Sequence, residues 1–328
     1  MDSDLARRVV ELATRAPSVY NTQPWRFVAG EDWLDLYADR SRQLTTLDPT
    51  GRQLVLSCGA VLGFARTAVR ALGHGCRVEL LPDDADLDHL ARLAVTAPRP
   101  APTEEIALAR AIGRRRTVRD RFDSRPLPAE ARARLDEDAA AEDAWLRWVD
   151  SVADRTALAV LADRADRIEH ADRAVQAELA RWRREEPSAV DGIPTAALPA
   201  LPTALRGSDI PLRDFDPVQG DRDPADPQHL PLPAERPDLV VLGTRYDGPT
   251  SWLHAGQATA RVLLRATTMD LVASPLTQVL DIPWTRQRLR TELRLGGHPQ
   301  LVLRLGYGRI DGPRSPRRGV EEVLSRAS

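Results

Sequence analysis

Residues 4–15 carry Leu5, Val9 and Leu12 on one side of a helical wheel, which predicts an amphipathic helix. Two alternating runs follow, Trp25 to Val28 and Trp33 to Ala38, around Gly30-Glu31-Asp32, and they read as paired strands. Residues 50–72 predict a long helix, opened by Asp48-Pro49 and closed by Gly73. Leu54, Val55, Cys58, Val61, Leu62, Ala65 and Val69 keep helical spacing there. Both faces of its middle are apolar or small, as in a buried central helix. Residues 76–81 read as a strand, and Pro98-Arg99-Pro100-Ala101-Pro102 breaks the pattern.

The pattern then restarts. Thr103-Glu104-Glu105 opens a helix to about Gly113, and a strand is expected from Trp145 to Val149. Charged helices are expected over 153–169 and 171–185. A strand over 238–243, a second long helix over 251–269 and a last strand from Gln300 to Leu305 complete the series. Two long helices, each leading toward a strand, point to two related halves. Residues 187–236 stand apart, with prolines at 187, 194, 199, 202, 211, 217, 224, 227, 231 and 233 and little periodicity. A long run of this kind inside a domain reads as a lid or as a disordered insert. Its spaced apolar residues, among them Ile193, Leu198 and Leu205, favour a lid that packs on something.

Composition narrows the class. With 328 residues and 42% hydrophobic content the chain can bury a sizeable core. A net charge of −2 argues against holding nucleic acid by bulk charge. No run of about 18 apolar residues predicts a bilayer span. Met1-Asp2-Ser3-Asp4 shows no apolar signal region, and two cysteines, Cys58 and Cys76, make no disulfide framework. A reducing, cytoplasmic setting is the expectation. The six histidines are scattered, so no metal site is expected. The chain contains no lysine, so all 46 basic residues are arginines. Lysine nucleophiles and Schiff bases are excluded, and any anion must be held by arginine, backbone amides or helix N-termini.

Four segments carry candidate chemistry. Ala16-Pro17-Ser18-Val19-Tyr20-Asn21-Thr22-Gln23-Pro24-Trp25 sits between helix and strand, and its two prolines stiffen the ends. It suits either a structural turn or the polar edge of a flat heterocycle. Arg114-Arg115-Arg116-Thr117-Val118-Arg119-Asp120-Arg121 is either a solvated helix end or an anion grip. Ser315-Pro316-Arg317-Arg318 is a basic tail, and Ser274-Pro275-Leu276-Thr277-Gln278 is a turn after the second long helix.

The first of these resembles the P-S-x-x-N-x-Q-P-W motif of flavin-dependent nitroreductase-like proteins, and within them the Acg-type branch. The second resembles their R-R-[ST]-x-R motif, its register open by one residue because of Arg114. Asp39-Arg40-Ser41-Arg42, Ser57-Cys58-Gly59-Ala60, Trp182, Asp191-Gly192-Ile193-Pro194 and Arg304-Leu305-Gly306-Tyr307-Gly308 extend the likeness over most of the chain. The resemblance implies an α+β nitroreductase-like fold, with central helices against antiparallel sheets and two related halves fused in one chain. The halves would be 1–97 and 103–186 with 237–328, and 187–236 would be a lid-like insertion. It implies FMN as cofactor, held by Ser18, Asn21, Gln23, Arg115, Arg116, Thr117, Arg119, Arg317 and Arg318, with a backbone amide of Thr277 or Gln278 at flavin N5. Arg119 would stabilise the anionic reduced ring.

Two functions follow from the resemblance. One is an oxidoreductase passing electrons from NAD(P)H through the flavin, in a ping-pong cycle, to a small nitro- or quinone-type molecule. No G-x-G-x-x-G follows a strand, and none is needed where nicotinamide stacks on flavin. The other is a flavin-sequestering protein whose lid keeps NAD(P)H out. A non-flavin α+β protein with incidental motifs is the bland alternative. Either flavin reading expects a monomer with internal pseudo-twofold symmetry, one flavin per chain, and no nucleic-acid or membrane partner.

Overall fold

The structure, a computed structural model, describes residues 2–186, 188–195, 235–310 and 314–327. The expected lid falls mostly on 196–234, outside the described residues.

The chain opens with helix α1 (Ser3–Ala13), whose first turn is capped by the Asp2 carboxylate accepting from the Asp4 amide. Strands β1 (Trp25–Ala29) and β2 (Trp33–Ala38) form the expected hairpin. Helix α2 (Arg52–Ala71) follows, then β3 (His74–Leu80) and β4 (His89–Pro98). Helices α3 (Thr103–Arg114) and α4 (Ala129–Ala140) lead to β5 (Ala144–Trp148), then α5 (Val152–Ala171) and α6 (Arg173–Trp182). The expected helix over 171–185 stops early, because Arg183–Arg184 (β6) pairs in parallel with Ile193–Pro194 (β7). Strand β8 (Asp238–Thr244), helix α7 (Pro249–Thr268), β9 (Val272–Pro275), short α8 (Gln278–Asp281), α9 (Pro283–Glu292) and β10 (His298–Gly306) come next. The tail ends in α10 (Val320–Val323) and β11 (Leu324–Arg326).

The strands make two main sheets. The first runs β11-β1-β2-β4-β3 and the second β5-β8-β10-β9. All pairs in both are antiparallel except β11, which adds to β1 in parallel. The tail therefore leaves the second sheet after β10 and closes the edge of the first.

Helices α2 and α7 lie buried between the sheets. One apolar core joins α1, α2 and the first sheet, through Val9, Trp25, Leu36, Val61 and Leu93. A second joins α7 to the second sheet, through Val240, Leu242, Val262 and Leu303. On that sheet's other face, α5, α8 and α9 pack through Leu158, Val279 and Leu289. Where α2 and α7 cross, backbone meets backbone. A Cβ on Gly59 would sit 2.4 Å from the Leu253 carbonyl oxygen, and one on Gly256 would sit 2.2 Å from that of Leu56. Only glycine permits so close an approach. Among the described residues α2 alone is long and apolar enough to cross a membrane, and it is mostly buried in this interior.

Candidate cofactor site

Residues 16–25 form a tight loop between α1 and β1. Tyr20, Asn21 and Gln23 all take left-handed backbone conformations, with φ of 47°, 54° and 50°. Such strain persists only where surrounding bonds hold it, and it concentrates at functional sites. Here the bonds are explicit. Ser18 Oγ accepts the Gln23 amide at 2.9 Å, and Ser57 Oγ on α2 accepts the Val19 amide at 3.2 Å. Asn21 Nδ2 donates to the carbonyls of Gly192 (3.0 Å) and Pro316 (3.1 Å), while its Oδ1 accepts from Arg317 Nη1 at 3.0 Å. Gln23 is buried. It donates from Nε2 to Val190 O at 2.9 Å and accepts the Arg318 amide at 2.9 Å. The loop thus joins three distant stretches: the α1–β1 connection, residues 190–192 and the C-terminal tail.

Arg317 lies across this junction. Its Nη2 donates to Arg15 O (3.2 Å) and Ala16 O (3.1 Å), yet its Nε is buried without a partner. Arg318 Nη2 reaches Glu322 O at 3.0 Å, and the side chain lies 3.8 Å from Asp39 and, through Nε, 3.7 Å from the Glu322 carboxylate. Burial pushes the Arg317 pKa down to about 9, and Arg115 and Arg15 push the same way.

Arg115 stands at the C-terminal cap of α3. Its Nε and Nη1 are buried without partners, and burial, with Arg116 beside it, lowers its pKa to about 10. Burial, then Arg314, lowers Arg116. Burial alone brings Arg119 to about 10. All of these stay cationic near neutral pH. Among the described residues no carboxylate offsets Arg115, Arg116 or Arg317 in these shifts. Crowded guanidiniums, two of them with unfilled buried N–H donors, need an anion, and a phosphate matches their fork geometry. The residues present therefore fit the phosphate end of FMN.

The chain beyond the arginines is pinned to the second half. Thr117 bridges Ala273, and the Val118 amide donates to Ala273 O at 3.0 Å. The Phe122 amide donates to Glu235 at 2.8 Å, and Arg304, wholly buried, pairs with that same carboxylate while its guanidinium lies over the Phe122 ring at 4.5 Å. Thr277 caps the short α8 just past β9, with its carbonyl accepting the Leu280 amide at 2.7 Å, and Gln278 is buried.

The structure thus brings Ser18, Asn21, Gln23, Arg317 and Arg318 into one bonded unit, with Arg115 adjacent and Arg116 beside Arg314. Thr117 is tied to β9, the strand that leads to Thr277 and Gln278. Arg119 is half-buried just past Thr117, and Thr277 and Gln278 open α8. Ser18, Asn21 and Gln23 spend polar atoms on holding the loop itself.

Several participants escaped sequence reasoning. Ser57 supports the loop from α2. Arg42 donates to Thr22 O and pairs with Asp191, and Arg184 pairs with Asp191 at 2.8 Å. Gly192, at φ 71°, leaves no room for a Cβ, which would sit 2.5 Å from Trp182 O. The signal was present as motif fragments around Arg42 and Asp191, but nothing in their spacing linked them.

The protein these features define is an α+β protein with two buried central helices and a cluster of buried arginines where loop and tail meet. Comparison with known proteins gives its relatives. "Putative NAD(P)H nitroreductase Rv3131" of Mycobacterium tuberculosis (strain ATCC 25618 / H37Rv) is 37% identical, over 98% of this chain and 92% of that protein. "Putative NAD(P)H nitroreductase acg" of the same strain is 31% identical, over 98% and 96%. The chain belongs to the family of these nitroreductase-like proteins, in agreement with its motifs. No family model matches it. A crystal structure of a variant of the "FMN and NADPH-dependent nitroreductase NfnB" from sphigopyxis sp. strain HMH aligns at 18% identity with a TM-score of 0.40, over 66% of this chain and 97% of that one. That likeness is too distant to place residues.

Proposed function

We propose that the chain is an FMN-dependent oxidoreductase of nitroreductase type, a fused pseudo-dimer with one flavin, moving electrons from NAD(P)H to small electrophilic nitro- or quinone-type acceptors. The observation that carries this is the group of Arg115, Arg116 and Arg317, with unfilled buried donors on Arg115 and Arg317, set against the strained Ser18–Gln23 loop. The names of the relatives support the reaction class. When bound, FMN supplies the redox chemistry, and the protein supplies binding, orientation and electrostatics. Arg115, Arg116 and Arg317 hold the phosphate. Ser18, Asn21, Gln23, Thr117 and Arg318 shape the cradle, and the Thr277 or Gln278 amide serves the ring. Arg119, cationic and half-buried, stabilises negative charge on the pyrimidine side. The two sheets, each with its own long helix, support the reading of two halves, 1–97 and 103–186 with 237–328. The protein acts as a monomer on small molecules.

A second reading, sequestration of flavin, has one specific observation in its favour. The described ends of the Pro-rich segment both fasten to the candidate site. Val190 and Gly192 accept from Gln23 and Asn21, and Glu235 accepts from Phe122.

Flavin released from the protein, quantified against chain concentration, gives one FMN per chain on either reading. Two per chain overturns the pseudo-dimer, and none overturns both. Anaerobic NADPH then separates them. Bleaching of the flavin bands supports the oxidoreductase; a yellow protein that does not bleach replaces it with sequestration.

A further inference from the structure

A cavity of about 530 Å³ opens at the N-terminal ends of α2 and α7. Its size is that of an ordinary small-molecule pocket. None of the residues assigned to the cofactor lines it. Its apolar wall comes from Leu47, Ile168, Val175, Trp252, Leu280 and Ile282.

Most charged side chains on that wall are already hydrogen-bonded or ion-paired. Asp247 accepts both Nη atoms of Arg286, at 2.8 and 2.9 Å, and the Trp252 indole N–H at 2.7 Å. Arg52 donates to the carbonyls of Gln300 (2.9 Å) and Leu280 (3.1 Å) and lies 3.7 Å from Asp281. Gln53 Nε2 donates to Asp281 at 2.5 Å. Asp48 accepts the Leu54 amide at 2.9 Å, and Asp172 accepts the Ala174 amide at 2.8 Å. Glu169, buried on the same wall, is likewise engaged.

Arg290 is different. It lines the cavity and is half-buried, yet its guanidinium makes no hydrogen bond or ion pair among the described residues. His298, across the wall, is held below its ordinary pKa by burial and by Arg290. It is neutral at pH 7 and leaves the Arg290 charge as the one uncommitted cation on the wall among the described residues. A half-buried guanidinium without a partner is costly, and an anion offsets that cost.

We propose that this cavity is a ligand site for a small aromatic carboxylate, its acid group on Arg290 and its flat body against the wall of Trp252, Ile168 and Ile282. The apolar lining selects an aromatic or similarly apolar body, and the Arg290 guanidinium supplies the charge that pairs with its carboxylate. The site stands independently of the flavin reading, because it shares no wall residue with it.

Isothermal calorimetry with 2-naphthoate and its neutral isostere 2-naphthamide tests this. One naphthoate is expected per chain. Affinity should be at least tenfold weaker for the amide and at least tenfold weaker in Arg290→Gln, and it should not change when FMN is present in saturating amounts. The amide comparison uses the parent protein, so the test stands even where the variant does not fold. No naphthoate binding at millimolar concentration overturns the proposal. So does equal binding of acid and amide, equal binding by parent and a folded Arg290→Gln, or loss of naphthoate binding when FMN is added.

Discussion

Arg317 donates from Nη1 to Oδ1 of Asn21 at 3.0 Å, closing a loop of 296 positions between the first motif and the tail. Asn21 also donates to Gly192 O and Pro316 O, so one amide serves three segments. Asn21→Ala leaves those partners unsatisfied, at a cost of about 1–3 kcal/mol. Urea denaturation should show that loss. Asn21→Ala and Arg317→Ala together should cost less than the sum of the single changes, because the partners share one network. Strict additivity would show that the two side chains do not depend on each other.

Arg119 keeps its charge in a half-buried place, its pKa lowered only to about 10 by burial. If it faces the flavin ring, Arg119→Ala should weaken FMN binding by about 1.5–3 kcal/mol, roughly ten- to a hundredfold. Arg114→Ala should do little, since Arg114 is exposed and pairs with exposed Asp270. Fluorescence titration of FMN ranks the variants. A parent-like Arg119→Ala with a weakened Arg121→Ala would shift the motif register.

Much of the fold is legible in the sequence because periodicity reports burial. The long helices expected over 50–72 and 251–269 are Arg52–Ala71 and Pro249–Thr268. The elements without a clean period are the ones missed. Helix α4 buries only Leu135 and Ala139 as apolar residues, and its third buried residue is Asp138, paired with Arg261 and Arg265. No apolar stripe announces such a helix. Strand β4 turns polar His89 inward, where it lies 3.3 Å from Asp35, and β11 spans only three residues. For the site, residue types and motif order were readable, but the bonds from the tail to Asn21 and Gln23 depend on β11 joining β1. That long-range pairing leaves no local trace.

The Glu235–Arg304 pair is fully buried and supports the segment that carries Arg119, through Phe122. Glu235→Ala strands a buried guanidinium and should cost about 3–5 kcal/mol. Glu235→Leu with Arg304→Met should recover part of that stability, because the desolvation penalty of both charges disappears while the Phe122 amide stays without its acceptor. A double variant no more stable than Glu235→Ala would mean the pair contributes more than it costs to bury.

Gly59 lies where α2 and α7 touch backbone to backbone. Gly59→Ala places a methyl 2.4 Å from Leu253 O and 2.9 Å from Leu253 Cα, so the helices must part. Overpacking of this kind costs about 1–3 kcal/mol or more. Gly113→Ala, with nothing within 4 Å of the added carbon, is the control and should not destabilise. Comparable melting temperatures for the two variants would deny the helix crossing its close approach.

Asp48 gives a pH signature. Burial pushes its carboxyl up from 3.8 to about 6, against the pull of the Leu54 and Gln53 amides and Arg52. A raised folded pKa means that the native state holds the proton more tightly than the unfolded chain. Its contribution is therefore complete below about pH 4 and fades as pH rises through 6. The loss amounts to about 3 kcal/mol, at 1.36 kcal/mol per pKa unit. Asp48→Asn cannot ionise, and its amide oxygen can still accept from the start of α2. Subtracting its stability from that of the parent, pH by pH, cancels every other carboxylate. The parent should lose stability relative to the variant between pH 4 and 6, and the difference should level off above about pH 7. A difference that stays flat across that window would place the Asp48 carboxyl in contact with water and remove the burial argument.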